Sequence, residues 1–168
     1  MKKLLIAILV IISTSTFATE PTDTLRIKTL DMEFLEQLVI EEISKYRVNS
    51  GKSPIVWDST LSSQCREYSE KLKHDFKHDT NSPYHGECIS NTGYNAGSTY
   101  LKNAKTIVKI WQDSPGHNYI LLLPNSTMGG MGIVLEGGFG NGLLNTFRIS
   151  YNDLKQSDII SYSSVALY

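Results

Sequence analysis

The chain holds only two cysteines, Cys65 and Cys88. That excludes a disulfide-dense scaffold that dispenses with a hydrophobic core. No Lys/Arg block exceeds a few residues and the formal net charge is −1, so nothing points to nucleic acid or an anionic membrane surface as partner. Only one long apolar run occurs, Leu4 to Ile12. It is far shorter than the ~20 residues of a membrane-spanning helix. A G-x-S-x-G serine elbow, an HExxH zinc helix and a phosphate-cradling glycine loop are all missing. Gly129, Gly130 and Gly132 fall in a strand-like segment, where glycine serves close backbone approach.

The apolar run reads as part of an export signal. Lys2 and Lys3 precede it, and Thr16 and Ala18 occupy the −3 and −1 positions of a cleavage site. Residues 1–18 are thus expected to be a signal peptide, cleaved near Ala18, with the mature chain periplasmic or secreted. Loss of the two lysines takes the formal charge to about −3. Residues 19–30 read as a loose arm, and residues 31–168 as a single domain, expected to be monomeric. An exported chain meets an oxidising compartment, so Cys65 and Cys88 either form one disulfide or remain two separate buried thiols. A bridge across that loop would stabilise by roughly 3 kcal/mol.

Periodicity predicts three helices followed by a hairpin. Near Asp31 a helix begins, with Leu35, Val39, Ile43 and Tyr46 on one face; Asn49-Ser50-Gly51 stops it. "SPIVWD" is extended and ends on a capping Asp58. The second helix carries Leu61, Cys65, Tyr68 and Leu72 inward; Phe76 continues the stripe, and the pattern ends near His78. Residues 80–97 are rich in Asn, Ser, Gly and Thr and read as a long irregular connection, a common place for function. A third helix, residues 98–112, buries Leu101, Ala104, Ile107, Val108 and Trp111. Ser114 then caps a short helix over 115–123, with Pro115 at its first position. After Pro124 the period becomes two. "MGGMGIVLE" and "LLNTFRISY" are strands joined at "GGFGNG", with Leu143, Phe147, Ile149 and Tyr151 on one face. This order gives an α+β fold with helices packed on an antiparallel sheet.

Four histidines are present: His74, His78, His85 and His117. His74 and His78, four apart, could share a helical face and a metal. Glu87 could accept from a histidine, bind a cation or remain a solvated loop residue. Cys88 could act as a nucleophile beside His117. His117 falls in the first turn of a helix, where the macrodipole disfavours imidazolium, so a neutral ring is expected.

The stretches "EEISKYRVNSGKSPIVWDSTLSSQCREYSEKL", "FKH", "HGE", "IVKIWQDSPGHNYILL" and "MGGMGIV", in this order, resemble the CAP superfamily of cysteine-rich secretory proteins, antigen 5 and pathogenesis-related proteins, in its bacterial exported form. The resemblance spans about residues 34–151. It implies an α-β-α sandwich: a central, mostly antiparallel sheet between helical layers. It also implies a cleft whose two histidines and first glutamate match His78, His117 and Glu87. Ser114 stands where the family carries a second glutamate, Cys88 where it usually has asparagine, and Asn118 and Ile120 where arginine and asparagine are common. The cysteine substitution favours a Cys65–Cys88 bridge.

By this resemblance the chain is a secreted binding or interaction domain. Its partner would be an extracellular protein, a lipid or an envelope ligand. His78, His117 and Glu87 could together hold Zn²⁺ or another divalent cation with one open position. Alternatively, Glu87 only fixes a histidine in a structural network. Two enzymatic readings stand beside this: a metal-assisted hydrolase of peptide or cell-envelope polymer with Glu87 as base, and a cysteine peptidase using Cys88.

Overall fold

A computed structural model describes residues 20–26, 29–93, 97–136 and 142–150. The expected signal peptide, the "GGFGNG" turn apart from Gly142, and residues 151–168 lie outside the described residues.

Local signals set most element starts. Asp31 caps helix α1 (Met32–Asn49), its carboxylate accepting the Phe34 N–H at 3.0 Å. Leu35, Val39 and Ile43 are its buried face, Tyr46 packs at its margin, and Gly51 takes the left-handed φ of +72° just beyond its end. After the two-residue strand β1 (Val56–Trp57), Asp58 caps α2 (Ser59–Leu72) by accepting from Leu61 N–H at 2.7 Å. Strand β2 covers Gly86–Gly93, and Thr99 caps α3 (Tyr100–Asp113). Helix α4 (Pro115–Leu121) is followed by β3 (Met128–Leu135) and β4 (Gly142–Ser150).

The strands form one sheet ordered β1-β3-β4-β2, with β1 parallel to β3 and the other pairs antiparallel. Helices α1 and α3 cover one face, where Leu35, Val39, Ile107 and Trp111 meet Cys88, Met131, Phe147 and Ile149. Helix α2 covers the other, where Leu72 and Tyr68 meet Ile89, Val134 and Leu144. This is the α-β-α sandwich. Every residue of the central strand β4 is buried, as a strand covered on both faces requires.

Two glycines set the tightness of the α2 layer. A Cβ on Gly130 would lie 2.5 Å from the Leu61 carbonyl carbon, and one on Gly132 would strike the Cys65–Arg66 backbone. The helix backbone therefore rests directly on β3. Because β1 is short, β3 has an open edge beyond Gly129. Side chains close it. Ser62 Oγ accepts from Met131 N–H at 3.2 Å, and the buried Glu36 carboxylate accepts from Ile133 N–H at 2.9 Å. Arg66 holds that carboxylate at 2.8 Å through Nε and 2.5 Å through Nη2. Burial nevertheless pushes the Glu36 pKa up. Arg47 is fully buried and donates to the carbonyls of Ser53, Leu121, Leu123 and Ser126 at 2.6 to 3.1 Å. It thereby fixes the C-terminal end of α4 to α1.

Three expectations change. Residues 86–93, expected within an irregular connection, form a full edge strand, paired with β4 from Gly86↔Ile149 to Gly93↔Gly142. Its inward polar residues conceal the alternation: Ser90 and Thr92 are buried because Asn145 Nδ2 donates to their hydroxyls at 3.3 and 2.9 Å. Helix α2 ends at Leu72, so His74 and His78 share no helical face and Phe76 is 51 % exposed rather than buried. The following chain is drawn off the helix axis by Tyr68, whose hydroxyl donates to the Lys77 carbonyl at 2.9 Å. Finally, Cys65 and Cys88 are both free and buried. Cys65 sits on α2 and donates to the Gly130 carbonyl at 3.4 Å, whereas Cys88 belongs to the core on the α1/α3 face. With the sheet between them the thiols cannot approach to bonding distance.

Gly132→Ala is expected to cost at least about 2 kcal/mol, because the clash is with backbone and cannot be relieved by a rotamer change. Gly93→Ala, where a Cβ meets nothing within 4 Å, should change stability by less than about 0.5 kcal/mol. Urea midpoints of the two variants check this. Thiol titration without reductant should find two reactive groups after unfolding and almost none in the native protein.

Candidate functional site

The sequence elements flanking β2 converge at its start. His85 donates its backbone N–H to the Ile149 carbonyl at 3.1 Å, which aligns Gly86 and Glu87 against β4. A Cβ on Gly86 would lie 2.6 Å from Ile120 Cγ2, so glycine here lets α4 lie against the edge strand. That contact, with Pro115 starting α4, brings His117 over β2. From the other side, the chain leaving α2 delivers His78 and Asp79.

Glu87 is the hub. Its Oε1 lies 3.1 Å from His78 Nδ1 and accepts the Asp79 N–H at 3.0 Å. Its Oε2 accepts from Arg148 Nε at 2.8 Å, with Nη2 at 2.7 Å. Arg148 Nη2 also donates to Asp79 Oδ2 at 2.8 Å. Burial by itself would raise the Glu87 pKa. The His78 hydrogen bond, the Asp79 N–H and the Arg148 guanidinium outweigh it and hold the carboxyl below its ordinary range. An ionised Glu87 makes His78 Nδ1 the donor, so a neutral His78 ring keeps its lone pair on Nε2.

His117 lies beside this group. Its ring centroid lies 6.0 Å from that of His78, at an interplanar angle of 46°. Its Nδ1 is buried without a hydrogen-bond partner among the described residues. Burial lowers its pKa, and the neighbouring His78 lowers it further. The expected neutral ring agrees in direction, with burial the first cause. Ser114 is the N-cap of α4 by backbone alone, its carbonyl accepting from Asn118 N–H at 2.8 Å with no side-chain cap bond.

The pattern of the cysteine-rich secretory protein family, CAP, matches residues 40–149. The chain belongs to this family. It is 32 % identical over 127 residues to the Bacillus subtilis (strain 168) protein YkwD, covering 70 % of this chain and 49 % of that protein. The chain thus spans about half the length of the curated relative it matches. Solved structures agree at the level of fold. An outer surface protein from Borrelia burgdorferi has a TM-score of 0.54 at 13 % identity, over 73 % of this chain and 97 % of that one. A cysteine-rich secretory protein from Staphylococcus aureus has a TM-score of 0.52 at 16 % identity, over 71 % and 40 % of the respective chains.

In this CAP chain His78, Glu87 and His117 come together, but Glu87 is already engaged. Both its oxygens are occupied by donors, and among the described residues no three His, Cys, Asp or Glu side chains group as a metal-binding set. Two imidazole nitrogens suit a cation; a three-ligand set is not present among the described residues. Cys88 does not fit a nucleophile's role. Its thiol donates to the His117 carbonyl at 3.7 Å rather than to the ring, and full burial pushes its pKa well up. Sequence reasoning missed Arg148, Asp79 and Tyr68. One partial signal was available: an arginine inside an apolar strand pattern is rarely buried without an anion, although which anion it meets depends on the β2–β4 pairing.

The pH dependence follows from His117. Its folded pKa lies below the ordinary 6.5, so its contribution to stability is full above about pH 6.5 and is lost as pH falls through the lower folded value. Glu87 acts in the same sense at more acidic pH, whereas Glu36, with its raised pKa, opposes it. Urea midpoints across this range should fall more steeply for wild type than for His117→Asn, which cannot titrate there. Histidine NMR should place the His117 midpoint below 6.5.

Proposed function

We propose that this CAP chain is an exported binding domain whose cleft takes a divalent cation on His78 Nε2 and a nitrogen of His117. One observation carries the reading: Glu87 is spent on Arg148, Asp79 and His78. A carboxylate held by three donors orients a histidine well and makes a poor general base, which must have a lone pair free for the proton it takes. The hydrolase reading loses its base on this ground.

Each residue then has a definite task. Glu87 fixes the tautomer and orientation of His78, the usual role of a carboxylate behind a metal-ligating histidine. Burial keeps His117 neutral and able to donate its lone pair. A bound Zn²⁺ would supply positive charge and open coordination positions for an anionic or carbonyl-bearing partner. Two protein ligands are fewer than the three or four of catalytic and structural zinc sites, so the ion would exchange readily.

Calorimetric titration of metal-free protein with Zn²⁺ tests this. One ion per chain is expected, with a Kd on the order of 1–100 µM, weakened at least about tenfold by either His78→Ala or His117→Ala. Equal binding by wild type and both variants would sink the proposal. Turnover of a peptide or peptidoglycan panel that disappears in Glu87→Gln would favour the hydrolase instead.

A further inference from the structure

We propose that Arg148 is the positioning residue of this site: through Glu87 it decides which nitrogen of His78 carries the proton. This deepens the cation-binding reading and rests on it only for its consequence for affinity.

The geometry divides the carboxylate in two. Oε2 belongs to Arg148, at 2.8 Å from Nε and 2.7 Å from Nη2, and Oε1 belongs to His78 and the Asp79 N–H. Glu87 and Arg148 are direct cross-strand partners, so the pairing is set by the β2–β4 register. Charge-assisted bonds to Oε2 stop the carboxylate from turning about its terminal torsion. With the carboxylate fixed, Oε1 presents a negative acceptor to Nδ1. A ring with its proton on Nε2 would set two lone pairs against each other; the ring protonated on Nδ1 gains a hydrogen bond.

Arg148 is itself held from several sides. Its side chain is 5 % exposed. The guanidinium carbon lies 4.6 Å from the Tyr68 ring centroid and 5.2 Å from that of Tyr84, and Nη2 reaches Asp79 at 2.8 Å. A planar cation close to two rings and bridging two carboxylates has a task for which lysine is a poor substitute. Because Asp79 adjoins His78 in sequence, the same guanidinium fixes both the acceptor and the backbone that carries the histidine. Tyr68 ties this cluster to α2, whose seat on β3 depends on Gly130 and Gly132.

The test reads the ¹⁵N shifts of His78 in metal-free, histidine-labelled protein at neutral pH. Wild type should show the Nδ1–H form in excess of about 10:1, as expected for a charge-assisted bond of roughly 1.5–3 kcal/mol. Arg148→Met, with folding checked by circular dichroism, should bring the ratio below about 3:1 and weaken Zn²⁺ binding about tenfold, as loss of a supporting partner does. Arg148→Lys should fall between the two. A wild-type tautomer ratio in folded Arg148→Met overturns the proposal. If that variant does not fold, an unchanged ratio in Arg148→Lys overturns it equally. Since the tautomer is read without metal, failure of wild type to bind Zn²⁺ would sink the cation-binding reading alone.

Discussion

The cross-strand pair of Glu87 and Arg148 is the contact on which the placement of His78 depends. A buried carboxylate is costly unless its lone pairs are used. Here they are used by two separate pieces of chain, β4 through Arg148 and the segment after α2 through His78 and the Asp79 N–H, and both are thereby tied to β2, which carries Glu87. One charge thus joins the end of a helix to the edge of a sheet. The histidine it holds is only as well placed as the register of β2 against β4.

That register is protected by the layers on either side. Gly130 and Gly132 let the α2 backbone touch β3, which puts Tyr68 over Arg148. On the far face Trp111 and Phe147 pack with ring centroids 6.0 Å apart, and Arg47 ties the end of α4 to α1. The absence of a side chain at Gly86 then brings α4, and His117 with it, onto the edge strand. Each histidine is held by a different layer, and the two meet where the layers join.

Much of this was legible along the chain. Asp31 and Asp58 announced α1 and α2 because a cap acts within one turn of itself. Leu143, Phe147 and Ile149 marked one face of β4, the one toward α1 and α3, because strand periodicity is local. The motifs containing His78, Glu87 and His117 indicated, through their likeness to CAP proteins, that these side chains come together, as they do. Strand β2 was not legible, since Ser90 and Thr92 are buried only because Asn145 from another strand bonds them. The end of α2 was misplaced because the bond from Tyr68 to Lys77 acts against the helical pattern. The inward direction of Cys65 was right, but which side of the sheet counted as inward is not a local property.

By itself, then, the sequence determined the starts of α1 and α2 with their caps and the alternation of β4, which rest on short-range chemistry, while likeness to CAP proteins singled out His78, Glu87 and His117. Tertiary structure alone decided what those residues touch. It placed Cys65 and Cys88 on opposite faces, spent the Glu87 lone pairs on Arg148, His78 and the Asp79 N–H, and set the two imidazoles 6.0 Å apart at a tilt of 46°. Such outcomes depend on which distant groups compete for one buried charge, and that competition exists only once the layers have packed.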